Sequence, residues 1–331
     1  MSNWKISPEA ASLHANSLVC DTTLPWMEYT DNKAGVLERF RDAGFNFVSL
    51  TVATDSNSLS GTVRYIAQVK SCLEQRGDVL FVKSAADIRA AKAQDKLAVG
   101  FNFQGTGCLE GNIDMVAAYY DLGVRQMLFT YNKKNLAGGG CHDDPDTGLT
   151  PFGASMVREM NRLGMIVDCT HMGSVSSMEA MQISQLPCVF SHSNSRVVHD
   201  HERNLSDAQA KVCAATGGII GMNGVSVFLS ADGDASVEAM LRHIDHFADL
   251  VGPEHLGIGL DFVYYEEQMY RLIAARPELF SKGYPPPPFK YFAPEDLPRL
   301  TEALLKRGYG EDDIRGLLGE NYLRVCQAVM G

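Results

Sequence analysis

Met165-Ile-Val-Asp-Cys-Thr-His171 is a short apolar run that ends on a histidine, and Pro187-Cys-Val-Phe-Ser-His192 repeats the pattern, so that the two histidines are 21 residues apart. Apolar runs of this length beside Gly or Pro are typical of buried strands. Two successive parallel strands that each end on a histidine place two imidazoles at the same edge of a sheet. Zinc is bound by nitrogen donors that converge from a rigid scaffold, so the pair predicts a metal site.

Strand-like runs alternate with amphipathic segments along the rest of the chain, which is typical of parallel βα units. Eight strands close a barrel, and 331 residues accommodate one with insertions. An open doubly wound sheet is the alternative, but no GxGxxG motif follows a strand, which weakens its dinucleotide-binding form. We predict an α/β fold, a (β/α)8 TIM barrel of the metal-dependent hydrolase type, as a single domain over residues 1–331. The predicted strands are Ser17–Asp21, Phe45–Val52, Leu97–Phe103, Arg125–Tyr131, Met165–His171, Pro187–His192, Gly217–Asn223 and Leu256–Asp261.

The predicted helices lie between these strands and after the last of them. Between strands they are Ala34–Ala43, Gly61–Gln75, Ile113–Leu122, Thr150–Leu163, Ser174–Ile183, Ser206–Ala215 and Val237–Val251, and two more follow at Pro294–Arg307 and Glu311–Val329. The segment Tyr284-Pro-Pro-Pro-Pro-Phe289 is stiff and extended, and forms either a rim over the site or a rigid surface connection.

Polar residues stand at the ends of all eight predicted strands, where barrel enzymes build their sites. Strand ends are polar in any case because they adjoin loops, but that explains one or two such residues better than eight in sequence. Glycines two residues from some of these groups share their side of the strand and predict room for something bulky. The polar residues are Asp21 and Thr23, Thr51 and Thr54, Gln104, Tyr131, His171, His192, Asn223 and Asp261; the glycines are Gly100, Gly221, Gly257 and Gly259.

Composition excludes several classes of partner. The net charge of −11 and the pI near 5.3 argue against nucleic acid and anionic membranes. The first residues lack the apolar core of a signal peptide, and no apolar run has the length of a membrane span. The eight cysteines form no CxxC pair and are expected to be reduced and mostly buried. We therefore predict a soluble cytoplasmic protein that acts on a small molecule.

Individual residues suggest roles beside the two histidines. Asp261 follows the last predicted strand and is a candidate general base, although a helix cap or a loop anchor is a common role for such a carboxylate. Arg203 lies eleven residues after His192 and could bind a substrate carboxylate through two hydrogen bonds. The loop histidines His142, His199 and His201 are expected to be exposed to solvent.

The chain resembles the membrane (renal) dipeptidase family of zinc metallopeptidases. The resemblance covers most of the sequence and is strongest from Gly148 to His171; Phe190-Ser-His-Ser193, Arg203-Asn204, Gly259-Leu-Asp261-Phe and Glu320-Asn-Tyr-Leu-Arg-Val325 also match. It implies a (β/α)8 barrel that cleaves short dipeptides and forms a homodimer. It further implies that His171 and His192 bind zinc, that Arg203 contacts the substrate carboxylate and that Asp261 transfers the proton.

The chain departs from this family at residues that carry chemistry. The His-x-Asp motif that supplies two metal ligands corresponds to Asp21-Thr22-Thr23, the bridging glutamate to Gln104, and a histidine to Tyr131. A shared carboxylate offsets the repulsion between two divalent ions, and neutral Gln104 bridges poorly. We therefore expect one zinc ion per chain rather than two, with His171, His192, Asp21 and Gln104 as the candidate ligands.

These observations support three hypotheses about function. The first is a metal-dependent hydrolase in which a water bound to the metal attacks the amide bond of a dipeptide or a similar amino-acid derivative. Asp261 then manages the proton, and Arg203, Tyr131 and Asn223 bind the substrate. The second is a family relative that binds a small amino-acid-like ligand without hydrolysing it. The third is an altered amide or ester hydrolase. Tyr131 either donates a hydrogen bond to an oxyanion or simply fills the volume of the missing imidazole.

Overall fold

A computed structural model describes residues 4–26 and 34–331, and its centre is one sheet of parallel strands. Eight strands follow one another around the sheet in the order β1, β2, β4, β5, β6, β7, β8 and β9, and a short ninth strand, β3, pairs only with β4. The strands are β1 (Cys20–Pro25), β2 (Phe47–Thr54), β3 (Val79–Phe81), β4 (Leu97–Gln104), β5 (Val124–Leu128), β6 (Ile166–Asp168), β7 (Cys188–Phe190), β8 (Ile219–Met222) and β9 (Leu256–Ile258).

Hydrogen bonds bring the last strand back to the first and so close the barrel. The backbone N–H of Asp261, just after β9, donates to the carbonyl oxygen of Thr23 in β1 at 3.2 Å. The hydroxyl of Thr22 lies 3.0 Å from the carbonyl oxygen of Ile258 and also contacts the carbonyl of Ser191. The predicted (β/α)8 barrel is therefore confirmed, with all eight predicted strands in it.

Helices cover the outside of the barrel, and most agree with the predicted segments. In chain order they are α1 (Pro8–Asn16), α2 (Ala34–Asp42), α3 (Leu59–Glu74), α4 (Ala85–Ala93), α5 (Asp114–Asp121), α6 (Pro151–Leu163), α7 (Ser174–Ile183), α8 (Asp207–Ala215), α9 (Ser226–Leu229), α10 (Val237–Val251), α11 (Glu266–Ala275), α12 (Leu297–Arg307), α13 (Glu311–Arg315) and α14 (Asn321–Met330). A π-helical turn at Gly316–Glu320 joins α13 to α14.

The predicted first strand is misplaced. Ser17 ends α1, because its backbone N–H and its hydroxyl both donate to the carbonyl of Leu13, and β1 begins only at Cys20. The prediction also missed β3, which has three residues and no period to recognise, together with α1, α4, α9 and α11. Among the described residues no helix is long and apolar enough to cross a membrane.

The two ends of the barrel differ in character. At the N-terminal end, residues near the starts of the strands, such as Phe47, Ala98 and Ile166, pack with Tyr322 and Val325 of α14. This helix therefore fills the bottom of the barrel with apolar side chains. The C-terminal end is left to the polar residues that follow the strands.

The glycines of β8 and β9 serve close packing rather than ligand space, contrary to the prediction. A Cβ on Gly221 would lie 2.0 Å from the carbonyl oxygen of Ser191, and one on Gly259 would lie 1.8 Å from the same atom. Gly257 adjoins the side chain of Ile219, and Gly100 adjoins that of Phe47. Protein atoms therefore occupy the space beside these glycines.

Replacing Gly259 with alanine should destabilise the barrel, because the added methyl collides with the Ser191 carbonyl and with Thr22 at the closing seam. We expect a loss of roughly 2–4 kcal/mol in the free energy of unfolding, measured by denaturant titration. The exposed Gly77 has no atom within 4 Å of an added Cβ, so Gly77→Ala is the matched control and should change stability little. Equal stability of the two variants would contradict the close packing.

Candidate functional site

The two predicted histidines meet at the C-terminal end of the barrel. His171 follows β6 by three residues, His192 follows β7 by two, and both side chains are buried. Their Nε2 atoms are 3.0 Å apart, and the ring centroids are 5.1 Å apart. The two nitrogens that the sequence pattern predicted at one edge of the sheet therefore lie side by side.

A buried carboxylate that the prediction overlooked holds both histidine-bearing turns. Oδ1 of Asp168, the last residue of β6, accepts hydrogen bonds from the backbone N–H and the hydroxyl of Thr170 and from the backbone N–H of Ser191. Its Oδ2 accepts from Gln126 at 3.0 Å. Because Thr170 and Ser191 directly precede His171 and His192, Asp168 fixes the distance between the two imidazoles.

The tautomer of His171 follows from its neighbour Asn132. The amide nitrogen of Asn132 donates to the carbonyl of Leu279 at 2.8 Å, which directs its Oδ1 toward Nδ1 of His171 at 2.6 Å. Nδ1 must then carry the proton, since Oδ1 can only accept. The lone pair of His171 is therefore on Nε2 and faces His192. His171 and Asn132 both have positive φ, 64° and 62°, so tight turns set this geometry.

His192 can adopt either tautomer because its Nδ1 faces two hydroxyls, Ser191 Oγ at 2.8 Å and Thr23 Oγ1 at 3.2 Å. With the proton on Nε2, His192 donates to His171. With the proton on Nδ1, the two Nε2 lone pairs face each other, and only a cation between them stabilises that arrangement. The pair thus has one state without a metal and one state suited to a metal.

Both imidazoles are neutral in this environment. Burial lowers the pKa of His171 well below its usual value, and the charge of Arg203 and the neighbouring His192 lower it further. Burial followed by Arg203 lowers the pKa of His192 in the same direction. Neutral imidazoles are the form that binds metal ions.

The remaining predicted ligands, Asp21 and Gln104, each use one polar atom to bond to other protein groups. Oδ1 of Asp21 accepts from the backbone N–H groups of Thr23 and Leu260, and its Oδ2 has no hydrogen-bond partner. Burial raises the pKa of Asp21 well above its usual value. Gln104 donates from its amide nitrogen to the hydroxyl of Thr51 at 3.1 Å.

The described donor set offers two convergent nitrogens to one metal ion and does not fit two ions. In residues 4–26 and 34–331 no three His, Cys, Asp or Glu side chains are grouped to hold an ion. His171 and His192 supply two convergent nitrogens, whereas catalytic zinc sites use three protein ligands. A two-ion centre also needs a bridging carboxylate, and Gln104 cannot supply one.

Asp261 is partly buried at the end of β9 with a positive φ of 53°. Burial raises its pKa to about 7, although the charge of Arg203 and a hydrogen bond from Asn223 oppose the rise. The amide nitrogen of Asn223 donates to Oδ2 of Asp261 at 3.3 Å, and its Oδ1 accepts from the backbone of Val225. Asn223 therefore positions Asp261, and a carboxyl group with this pKa can exchange a proton near neutral pH.

Arg203 is a buried cation with few partners. Its side chain lies over the ring of Phe228 at 5.2 Å, and one terminal nitrogen donates to the carbonyl of His192 at 3.4 Å. Its Nε has no hydrogen-bond partner, and no carboxylate of the described residues forms an ion pair with it. A buried guanidinium in this state favours an anionic ligand.

Two loop histidines expected at the surface are buried instead. His142 is 1% exposed, and neither of its ring nitrogens has a hydrogen-bond partner. His201 is 5% exposed, and its Nε2 lies 3.0 Å from the carbonyl oxygen of Gly283. The prediction was wrong because single histidines carry no periodic signal, and the chain after α11 folds back to cover them. Burial and the charge of Arg203 lower the pKa of His142 to about 3.

Tyr131 stacks on His171, with ring centroids 4.3 Å apart and an interplanar angle of 25°. Its backbone N–H donates to Asp55, a residue that the prediction did not single out. The carboxylate of Asp55 also accepts from the backbone N–H groups of Thr106 and Gly107 and from the amide of Asn135. Asp55 thereby ties together the loops that follow β2, β4 and β5.

A cavity of about 80 Å³ opens beside these residues. His171, Gln104, Tyr131 and Asp261 line it together with side chains from α11 and from the segment that follows it. Tyr284 and Phe289, the ends of the proline-rich segment, are both part of the wall, so this segment borders the site.

Comparison with known proteins identifies relatives over almost the whole chain. The model of the family described as membrane dipeptidase (peptidase family M19) matches residues 36–270 and 287–330. An amidohydrolase from Pseudomonas aeruginosa is 31% identical with a TM-score of 0.90, over 97% of this chain and 99% of that one. A metallopeptidase from Rhodobacter sphaeroides, solved with a phosphinate mimic of the dipeptide L-Ala-D-Ala, is 22% identical with a TM-score of 0.78, over 95% and 100% of the two chains.

Asp261→Asn should change how stability depends on pH. The pKa of Asp261 rises from 3.8 to about 7 on folding, so the folded state keeps a proton that the unfolded state has released. This stabilisation is complete below about pH 4 and is lost as the pH rises to about 7. Relative to the variant, the wild-type protein should lose roughly 2 kcal/mol of unfolding free energy between about pH 5 and about pH 7.

Denaturant unfolding at a series of pH values measures this difference. Asp249→Asn is the matched control, because Asp249 is exposed on α10. Its stability should follow that of the wild type at every pH. If the Asp261→Asn profile also ran parallel to the wild type, the raised pKa would be wrong.

Proposed function

Because this chain belongs to the membrane dipeptidase family, peptidase family M19, we propose that it is a metal-dependent hydrolase that cleaves the amide bond of a dipeptide or a similar small amino-acid derivative. One observation carries the proposal: the convergent Nε2 atoms of His171 and His192 lie at the barrel end where Asp261 shares a cavity with His171. Metal-assisted hydrolysis requires metal ligands and a group that transfers a proton, and two neutral imidazoles with a titratable carboxyl group can supply them.

The ion we propose is a single zinc, held by His171 and His192. Gln104 and Asp21 are the further donors we propose, through Gln104 Oε1 and Asp21 Oδ2, because their other polar side-chain atoms already bond to protein groups. When bound, a divalent ion polarises a carbonyl and lowers the pKa of water. The neutral side chain of Gln104 and the positive charge of Arg203 support one weakly held ion in preference to two.

The substrate is oriented by groups of the chain itself. We propose that Arg203 binds the substrate carboxylate, because its buried guanidinium forms no ion pair with a carboxylate of residues 4–26 or 34–331. Asp261 accepts a proton from the water that attacks the amide and gives it to the leaving amine. A pKa of about 7 permits both steps. Asn223 holds Asp261 in place, and Tyr131, stacked on His171, borders the reacting carbonyl from the position where the family has a histidine.

A second candidate function is binding of an amino-acid-like ligand without hydrolysis. The observation that favours it is the His171–His192 contact, which satisfies both imidazoles without any ion when His192 carries its proton on Nε2. The neutral side chains of Thr23 and Gln104 support it further. Metal binding and turnover separate the two candidates.

Titration of metal-free protein with Zn²⁺, followed by calorimetry, should show one ion per chain. His171→Ala should weaken this binding by roughly tenfold or more, since it removes one of two nitrogen donors. His246→Ala is the control, because His246 lies on α10 and bonds to Asp207. Two ions per chain would contradict our interpretation of Thr23 and Gln104, and no binding would remove the metal from the proposal.

A panel of dipeptides assayed with added Zn²⁺, Co²⁺ or Mn²⁺ should reveal turnover that rises with pH through about 7, as Asp261 loses its proton. Asp261→Asn should lower kcat roughly 100-fold or more, because it removes the proton acceptor. Asp249→Asn should retain wild-type activity. If the wild-type protein hydrolyses no dipeptide with any of the metals, the result would favour the binding function.

A further inference from the structure

Four aromatic side chains form a continuous wall between His171 and Arg203, which we call the aromatic belt: Tyr131, Phe280, Tyr284 and Phe228. Neighbouring ring centroids along it are 6.1 Å, 5.3 Å and 5.8 Å apart. Tyr131 stacks on His171 at one end, and Phe228 lies under Arg203 at the other. His171 and all four rings line the same cavity, so a molecule bound there beside His171 contacts an aromatic surface.

Helix α11 adds a second apolar wall to the same cavity. Met269, Leu272 and Ile273 stand at helical spacing and line the cavity, whereas Glu267, Arg271 and Ala274 are exposed. An amphipathic helix normally turns its apolar stripe to the protein core. Here the half-buried stripe lines the cavity, and Ile273 also packs against the apolar cluster of Val225, Val227, Phe228 and Phe289.

Backbone contacts fix this wall against the barrel. The backbone N–H of Ser226 donates to the carbonyl of Lys290 at 2.9 Å, and the N–H of Lys290 donates to the Ser226 hydroxyl at 3.0 Å. The N–H of Phe289 donates to the hydroxyl of Tyr270 on α11 at 2.9 Å. The cavity is thus preformed, and its apolar lining belongs to the folded site.

Among the described residues that line the cavity, the carboxyl groups are those of Asp55 and Asp261. The carboxylate of Asp55 also lines the cavity, but backbone N–H groups and Asn135 occupy both of its oxygens. Asp261 is then the carboxyl group available to a ligand. Apolar walls of this extent favour a ligand that buries hydrocarbon, because burial of each methylene stabilises the complex.

We propose that the substrate carries a bulky apolar group, an aryl or branched alkyl side chain, that packs between the aromatic belt and α11. This inference rests on the proposed function, since it names the substrate class of the same site. Small dipeptides such as glycylglycine leave both apolar walls in contact with water and are poor ligands. The discrimination comes from the size of the apolar group and from the Arg203 contact with the carboxylate.

The test compares the affinity of three carboxylates that share one amide: N-acetylglycine, N-phenylacetylglycine and N-acetylphenylalanine. Calorimetry should show that at least one aryl compound binds roughly tenfold or more tightly than N-acetylglycine. The two aryl compounds place the ring on opposite sides of the amide, so either gain supports the proposal. Equal affinity of all three would overturn it.

Two variants of adjacent residues on α11 locate the effect. Ile273→Lys places a charge in the cavity wall and should remove most of the aryl gain, measured as the ratio of the aryl affinity to the N-acetylglycine affinity. Ala274→Lys places the same charge on the exposed face and should leave every affinity at the wild-type value. Equal behaviour of the two variants would overturn the assignment of the aryl group to this wall.

N-methylphenylacetamide, which lacks the carboxylate, separates this inference from the proposed function. If it binds as tightly as N-phenylacetylglycine and no dipeptide is hydrolysed, the carboxylate anchor and the peptidase function fail while the apolar site stands. If the carboxylates bind and are hydrolysed without any dependence on the aryl group, the proposed function stands and the apolar site fails.

Discussion

The distance of 3.0 Å between the two histidine Nε2 atoms constrains the whole C-terminal end of the barrel. Strands β6 and β7 pair through only two residues each, so the sheet alone would leave the turns that follow them free to diverge. Asp168 prevents this, because one carboxylate oxygen bonds to the residues that precede both histidines. The buried charge of Asp168 is tolerated because four donors satisfy it, three at one oxygen and Gln126 at the other.

The electrostatics of the site follow from what surrounds this pair. Burial lowers the pKa of both histidines, and the positive charge of Arg203 lowers it further. A guanidinium near the pair disfavours multiple cations and favours an anion. Burial raises the pKa of Asp261, and the positive charge of Arg203 limits the rise to about 7. In the proposed function, the limit to one metal ion and the binding of the substrate carboxylate would both follow from this charge distribution.

Much of the barrel could be predicted from sequence, because its strands are short apolar runs separated by helices of regular period. The histidine pair was predictable for the same reason, since strand ends in a parallel barrel meet at one face. Long-range contacts were not predictable. The glycines near the strand ends suggested ligand space, yet the Ser191 carbonyl occupies it. Asp21 stood at the family's ligand position, yet the backbone of Leu260, distant in sequence, holds one of its oxygens. His142 and His201 are buried by the segment after α11, which carries no periodic pattern of its own.

Asn132 connects the imidazole pair to the cover of the cavity. Its carbonyl oxygen fixes the tautomer of His171, and its amide nitrogen donates to Leu279, which lines the apolar cavity beyond α11. A ligand that packs against this cover also contacts the segment whose Leu279 carbonyl orients Asn132. The lone pair of His171 stays directed at His192 only while Asn132 keeps that orientation. In the proposed function, the Asn132 side chain therefore links apolar contacts with the substrate to the ability of the histidines to bind a cation. It can face both partners at once because its oxygen accepts and its nitrogen donates a hydrogen bond.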